Sequence, residues 1–261
     1  MELLNALAGF LVGILVGFTG VGGGALMTPL LVFLFGVAPQ TAIGTDLLFA
    51  SITKSVGSWV HGTRGSIDWV VLRRLCLGSL PAATLTLLLI HNFPPDKELK
   101  ALLLPALGVA LAMTSLAMLF QTRLHRLGQK LRTTTPVKFK GAQPGLTVLA
   151  GALLGFLVTL TSVGAGALGV VMLVYLYPYR LTASKLVGTD IAHAVPLTLV
   201  AGLGHWSLGN VDFALLGSLL VGSIPGIVVG SRLSVRVNQK YVRNAIAVML
   251  AVVGGKLLLQ H

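Results

Sequence analysis

Two long stretches without a charged residue constrain this chain more than any other feature. They run from Leu3 to Thr45 and from Gly141 to Tyr179, and each is roughly twice the length of about 20 residues that one transmembrane helix needs. A glycine-rich hexapeptide lies in the middle of each stretch, and glycine readily interrupts a helix. Each stretch therefore predicts a pair of short helices that form either a re-entrant hairpin or two tilted half-spans.

Composition places these helices in a lipid bilayer. Hydrophobic residues make up 55% of the chain and charged residues only 10%, whereas a soluble domain carries about 25% charged residues. The formal net charge of +12 raises the alternative of nucleic-acid binding. The basic residues lie mostly between the apolar segments, as in the cytoplasmic loops of membrane proteins. We therefore expect an all-α polytopic membrane protein and no nucleic-acid partner.

The chain aligns with itself. The segment 21–26 (VGGGAL) matches 163–168 (VGAGAL), and Gly-Thr-Asp at 44–46 matches Gly-Thr-Asp at 188–190. Further pairs follow the second alignment: His61 with His205, Gly65 with Gly209, Asp68 with Asp212, Gly78 with Gly222 and Pro81 with Pro225. The alignment predicts a first repeat over 1–120, a basic cytoplasmic linker over 121–144 and a second repeat over 145–261.

Each repeat is expected to hold a broken or re-entrant helix pair and three transmembrane helices. The pair contributes an even number of crossings and the three helices an odd number, so the second repeat must enter from the opposite side. The expected helices lie near 4–19, 24–37, 41–61, 67–91 and 98–120 in the first repeat, and near 145–161, 165–178, 183–205, 211–231 and 241–260 in the second.

The positive-inside rule gives an independent test of this inverted topology. With the linker in the cytoplasm, the opposite side holds only Lys97, Lys100 and Lys256, and both termini are periplasmic. The cytoplasmic side then holds Arg64, Arg73, Arg74, Arg123, Arg126, Lys130, Arg132, Lys138, Lys140, Arg180, Lys185, Arg232, Arg236, Lys240 and Arg243.

The two glycine motifs are the first candidate binding site. The helices that follow them would direct free N–H groups and positive dipole ends into the gap, an arrangement that binds anions. The alternative is that the glycines only allow close helix crossing, as the four-residue spacing of Gly151 and Gly155 does. The candidate substrate-binding residues are Gly22, Gly23, Gly24, Ala25, Gly164, Ala165, Gly166 and Ala167.

Ionisable residues inside the expected spans form the second group of candidates, because each is costly in lipid. Lys54 lies near the middle of its span and would balance a bound anion or pair with an aspartate such as Asp46. Asp46 and Asp190 are candidates for proton coupling or gating, and helix capping is the alternative.

Three histidines complete the candidate list. His61 and His205 are repeat-related and lie at span ends, where interfacial hydrogen bonding is the alternative to gating. His193 is deeper and is the preferred proton-coupling candidate, because histidine titrates near neutral pH. We found no metal-binding motif, no cofactor motif and no catalytic constellation, and Cys76 is interpreted as a buried structural thiol. The sequence therefore does not indicate an enzyme.

These motifs carry a family resemblance. The segment GILVGFTGVGGG at 13–24, the segment AIGTD at 42–46 and their second copies resemble the TauE/SafE sulfite-exporter family over nearly the whole chain. The resemblance implies a multi-pass carrier of the cell inner membrane for small sulfur-containing anions such as sulfite, sulfoacetate or other organosulfonates. Ser162 and Ala165 depart from the glycines of the first copy, so the second break is expected to be less open.

The sequence thus predicts a secondary transporter that works by alternating access and couples transport to protons or another ion. The expected partners are a small anion and the lipid bilayer, and a homodimer is left open. A passive anion channel of the same architecture and a membrane-embedded enzyme are the alternatives. The channel would never accumulate its substrate uphill.

Overall fold

A computed structural model describes residues 2–19, 24–63, 65–92, 97–134, 136–233 and 239–259 of the chain. These described residues form helices and connecting turns and contain no strand, which confirms the expected all-α class. The helices are α1 (Glu2–Thr19), α2 (Gly24–Phe33), α3 (Pro39–Thr63), α4 (Trp69–His91), α5 (Lys97–Thr134), α6 (Pro136–Thr161), α7 (Ala167–Leu176), α8 (Ala183–Ser207), α9 (Phe213–Leu233) and α10 (Gln239–Leu259).

Five helices among the described residues are long and apolar enough to cross a membrane, namely α4, α5, α6, α8 and α9. Large apolar side chains on them point outward, and Val221 and Leu77 are 71% and 68% exposed. In water such a surface would be unfavourable, whereas hydrocarbon requires it. The polytopic membrane class predicted from composition is therefore confirmed.

The α6–α7 pair forms a helical hairpin. Its open ends lie together, because the Gln143 side-chain amide donates to the carbonyl oxygen of Leu176 at 2.5 Å and the Phe139 and Tyr175 rings pack edge to face. Helix α7 has 10 residues and is about 15 Å long, roughly half the hydrocarbon thickness. The short α7 and the adjacent open ends fit both predicted arrangements, a re-entrant hairpin and two tilted half-spans.

Glycines let helices of different repeats pack backbone to backbone. A Cβ atom on Gly151 or Gly155 of α6 would collide with carbonyl oxygens of α4, and one on Gly9 or Gly13 of α1 would collide with carbonyl oxygens of α9. These two interfaces are among the most extensive of the described structure. Helix crossing is thus the role of these glycines, and α1 and α6, the first helices of the two repeats, each pack against the other repeat.

Helices α3 and α8 cross at the centre of the molecule in antiparallel fashion. The Asp68 N–H, just after α3, donates to Thr189 near the start of α8 at 2.8 Å. The Asp212 N–H, after α8, donates to Thr45 near the start of α3 at 3.1 Å. The same two motifs thus exchange the same hydrogen bond at opposite ends of the helix pair, which supports the prediction of an inverted repeat.

Several helix boundaries differ from the expected ones. Helix α5 continues to Thr134 and α6 begins at Pro136, so helices occupy most of the basic linker over 121–144. Polar and basic residues do not end a helix when they face water, and the hydrophobic pattern alone did not reveal this. Conversely, α2 and α7 end at Phe33 and Leu176, several residues before the apolar stretches end.

Candidate functional site

The second helix break has an unusual backbone. Ser162, Gly164 and Gly166 have φ angles of 58°, 113° and 126°, a region that glycine enters easily and serine rarely. Gly166 precedes α7 and provides no side-chain cap. The N–H groups of Leu168 and Gly169, in the first turn of α7, donate to the carbonyl oxygen of Gly164 at 3.2 and 3.4 Å. The backbone of the break therefore occupies N–H groups that the sequence predicted to be free for an anion.

Lys54 reaches this break from the first repeat. Its side chain is 4% exposed, and its Nζ atom donates a hydrogen bond of 2.6 Å to the carbonyl oxygen of Ala165. Both Asp190 and Asp46 lie within electrostatic range of the ammonium group. No ion pair within 4.0 Å joins Lys54 to either carboxylate among the described residues, so the expected alternative of direct pairing with Asp46 is wrong.

Asp46 contacts both sides of the site. The Thr28 hydroxyl of α2 donates to its Oδ2 atom at 2.6 Å, and the Ser162 hydroxyl of the second break lies beside its carboxyl group. No hydrogen bond of acceptable geometry joins Ser162 to Asp46. Asp46 is fully buried, and it connects the helix that follows the first motif with the break in the second.

Asp190 has the equivalent position in the second repeat. It is 2% exposed, and a Cβ atom on Gly169 of α7 would collide with its Oδ1 atom. Each aspartate of a Gly-Thr-Asp motif thus faces the short helix of its own repeat. Helix capping as the alternative role is wrong for both, because α3 starts at Pro39 and α8 is capped by Thr182, well before the aspartates.

The two candidate histidines whose side chains are described have different surroundings. His193 is buried in the core and its Nε2 atom lies 2.9 Å from the Ser79 hydroxyl of α4. His205 is also fully buried and its Nε2 atom lies 2.9 Å from the carbonyl oxygen of Thr159. His205 therefore bonds α8 to α6 close to the end of α8 at Ser207, and its role in gating stays a prediction. The side chain of His61 lies outside the described residues.

Several polar atoms around the break have no partner. Among the described residues, Asp46 Oδ1, Thr159 Oγ1 and Ser162 Oγ are buried without a hydrogen bond. Unpaired buried polar atoms are rare in native proteins and indicate a missing ligand, ion or water. Sequence reasoning missed Thr28, Thr159 and Ser79, since single hydroxyl residues in apolar helices leave no pattern.

The candidate residues of the first break are only partly described. Gly22 and Gly23 lie outside the described residues, while Gly24 and Ala25 begin α2. Leu26 belongs to the same apolar cluster as Val163 and Ala167 beside the second break. Together with Asp46, this cluster brings the start of α2 close to the start of α7. The described residues contain no group of three potential metal ligands.

A group of polar contacts between the two repeats lies at the end of the α3–α8 pair next to the α6–α7 hairpin. Arg180 donates to the Asp68 carboxylate at 2.7 and 2.9 Å, and Ser184 donates to Ser66 at 2.8 Å. Partial burial raises the pKa of Asp68, but the Arg180 guanidinium and the Val71 N–H outweigh it and hold the pKa below its ordinary value. The repeat-related Asp212 has no such ion pair among the described residues.

A membrane hairpin that ends beside buried charges is the architecture of transporters with interrupted helices. A family model described as "Sulfite exporter TauE/SafE" matches residues 5–257. The chain therefore belongs to the TauE/SafE family and is a membrane transporter rather than an enzyme.

Known relatives agree with this assignment. The chain is 40% identical to the probable membrane transporter protein YjnA of Bacillus subtilis, over 99% of this chain and 100% of the relative. It is 29% identical to the probable membrane transporter protein YdhB of the same organism, over 98% and 100% of the two chains. The probable membrane transporter protein MJ0441 of Methanocaldococcus jannaschii is 26% identical, over 97% and 92%. No solved structure matches the chain.

Proposed function

We propose that this chain is a secondary transporter of the cell inner membrane that carries a small sulfur-containing anion, such as sulfite, sulfoacetate or another organosulfonate. The family description names a sulfite exporter, and the site has the groups that an oxyanion requires. The observation that carries the proposal is the buried Lys54 ammonium at the carbonyl oxygen of Ala165, inside a helix break.

Two sources of positive potential meet at this break. Lys54 supplies a full charge, and the start of α7 supplies the positive end of a helix dipole. Ser162 and Thr159 add hydroxyl groups with no described partner. An oxyanion that displaced the Ala165 carbonyl oxygen from Lys54 would gain a charge-assisted hydrogen bond. We assign substrate binding to Lys54 and to the residues of both glycine motifs.

The carboxylates provide a means of coupling. Two ionised aspartates and one protonated lysine leave one net negative charge around the break, which repels an anion. Protonation of one aspartate makes the group neutral, and protonation of both makes it positive. Anion binding is therefore linked to proton uptake at Asp46 or Asp190, with His193 as the neighbouring titratable group on α8.

Alternating access follows from the paired bonds at the two ends of α3 and α8. Opening one side requires the Asp68–Thr189 bond to break, and opening the other requires the Asp212–Thr45 bond to break. Arg180 adds an ion pair only at Asp68. The end of the helix pair that holds Asp68 should therefore open less easily than the end that holds Asp212. Rocking of one repeat against the other would then expose the site to each side in turn.

Purified protein in liposomes tests this function. Sulfite, sulfate, thiosulfate and organosulfonates are offered in turn, and we expect at least one to accumulate uphill when a proton gradient is imposed. The affinity for that anion should fall as pH rises, and Asp190→Asn should flatten this dependence while Asp212→Asn should not. Flux that follows only membrane potential would indicate the passive channel, and no binding of any sulfur oxyanion would refute the proposal.

A further inference from the structure

A cationic pocket lies at the open end of the α6–α7 hairpin, away from the helix break. Its volume is about 380 Å³, and four basic side chains line it together with Gln143 and Tyr177. The basic residues come from three helices and a loop: Arg74 on α4, Arg132 on α5, Lys140 on α6 and Arg180 after α7.

The pocket contains more positive charge than the protein neutralises. Asp68 pairs with Arg180, and no carboxylate among the described residues pairs with Arg74, Arg132 or Lys140. Like charges that converge on one concavity repel each other unless an anion separates them. The described residues thus leave three cations around a space large enough for a small ligand.

Internal contacts hold the pocket wall in place. Arg74 donates to the Tyr177 hydroxyl at 3.2 Å, and that hydroxyl shares a hydrogen bond of 2.7 Å with Thr147. The Arg180 guanidinium lies 5.8 Å from the centre of the Tyr177 ring. Fixed donors lose less entropy on binding than flexible surface lysines do. The side of the wall that holds Arg74 and Tyr177 is therefore organised before a ligand arrives, whereas Lys140 is exposed.

The positive-inside rule explains why basic residues occur on this side, but not why they converge. Arg126, Lys130 and Lys138 satisfy the same rule without lining the pocket. The pocket is also separate from the transport site, because the full length of α7, about 15 Å, lies between Arg180 and the break.

We infer that this pocket binds a multivalent oxyanion of the phosphate or sulfate type. Arginine and lysine side chains with hydroxyl and amide donors are the usual ligands for such groups. The oxyanion has two sources, a free anion from the aqueous phase or the headgroup phosphate of an anionic lipid. The pocket lies at the mouth of a membrane hairpin, where both have access.

The first arm of the test uses radiolabelled inorganic phosphate and the purified full-length protein at constant ionic strength. Arg132→Gln combined with Lys140→Gln should weaken phosphate binding about tenfold or more, because two charge-assisted contacts are lost. The matched control is Arg126→Gln with Lys130→Gln, which removes the same charge outside the pocket. Lys54→Met should leave phosphate binding to the pocket unchanged. This variant therefore separates a failure of the pocket inference from a failure of the transport proposal. Lys140→Gln alone provides a second variant if the double variant does not fold.

The second arm uses vesicles of phosphatidylglycerol and phosphatidylcholine. The protein is reconstituted, re-extracted and delipidated, and the retained phosphatidylglycerol is measured. A loss of retained lipid in the pocket variant, without phosphate binding in the wild type, assigns the site to a lipid headgroup. Phosphate binding that depends on Arg132 and Lys140 assigns it to a free oxyanion. If the pocket variant equals its control in both arms, the inference is overturned.

Discussion

Lys54 is the residue on which the proposed binding site most depends. Its ammonium group is buried, and its described hydrogen bond goes to the carbonyl oxygen of Ala165. Burial of a charge is costly unless hydrogen bonds and opposite charges compensate for it. The Ala165 carbonyl oxygen and the nearby Asp46 and Asp190 carboxyl groups provide this compensation, and under the proposal a bound anion takes over part of it.

Replacement of Lys54 by methionine should therefore weaken binding of the transported anion. Loss of a charge-assisted hydrogen bond corresponds to roughly 1.5–3 kcal/mol, or about ten- to hundredfold in affinity. The anion that the liposome assay identifies is titrated into the purified protein. Thermal shift or calorimetry then measures the change in affinity. Lys256→Met is the matched control, because Lys256 lies over the Phe33 ring at the end of α10. An unaltered dose response in Lys54→Met would leave Lys54 with a purely structural role.

Substitution of Gly166 tests whether the second helix break is the binding site. Its φ of 126° is unfavourable for leucine, and a side chain there would occupy the break at the start of α7. Gly166→Leu should abolish transport while the protein still assembles in the membrane. Gly217→Leu on α9 is the control, since a Cβ atom at Gly217 meets nothing within 4 Å. Normal uptake by Gly166→Leu would exclude the break as the binding site. Sequence alignment predicts the same effect for Gly23→Leu.

At the scale of helices, the two Gly-Thr-Asp motifs connect the repeats. Each threonine accepts the N–H of the aspartate that caps a helix of the other repeat. The capping carboxylates behave alike, because Asp68 accepts from the Val71 N–H and Asp212 from the Leu215 N–H. The two ends differ in Arg180, which binds only Asp68.

Comparison of Asp68→Asn with Asp212→Asn isolates that ion pair, because asparagine caps helices as well as aspartate does. Asp68→Asn should lower stability by at most about 1 kcal/mol, the usual worth of a partly exposed ion pair, and Asp212→Asn should change it less. Thermal melting in detergent measures both. Because the folded pKa of Asp68 is depressed, its contribution is present above the unfolded pKa of about 3.9 and is lost as pH falls below it. An equal effect of both variants at neutral pH would contradict a role for Arg180.

The helices could be predicted from the sequence because their signals lie in local sequence patterns, whereas the division into two repeats stays a prediction. The uncharged runs, the glycine motifs and the repeated Gly-Thr-Asp depend on local pattern alone, and the helices they predict are present in the described residues. Partners across the molecule could not be predicted in this way. Lys54 and Ala165 are far apart in sequence, and nothing in either segment specifies that the first repeat reaches into the second break.

The cationic pocket shows the same limit. Positive charge on one side was evident from counting, whereas its convergence on one cavity depends on where α5 ends and α6 begins. The sequence analysis ended the last span of the first repeat near residue 120, but the helix continues to Thr134. Arg132 and Lys140 therefore lie at a helix junction beside the hairpin and not in an extended loop.

At the scale of the whole molecule, the packing intertwines the two repeats. Helix α1 packs on α9, α4 packs on α6 and α3 packs on α8, so these major interfaces join different repeats. Neither repeat can bury its helices without the other. If one repeat moves against the other as proposed, the motion takes place along these glycine-rich contacts.

The inverted orientation predicts which positions face the same side of the membrane. Gln129 lies near the end of α5, beside the pocket face, while Ser207 ends α8 at the face that holds Asp212. In a Cys76→Ala background, Gln129→Cys should react with an impermeant thiol reagent only from the cytoplasm. Ser207→Cys should react only from the periplasm. The topology predicted from the sequence gives the same expectation for Gln260→Cys.

Tyr179→Cys provides the internal control for this labelling. Tyr179 is 62% exposed and follows α7, so a re-entrant hairpin places it on the same side as Gln129. A hairpin whose two helices each crossed the membrane would give the same side for Tyr179 too, but Gly164→Cys at the turn would then react from the far side. Labelling of Gln129→Cys and Ser207→Cys from one face would contradict the inverted topology. Without opposite orientations, the two aspartate motifs would not meet the same break from opposite sides, and alternating access would lose its basis.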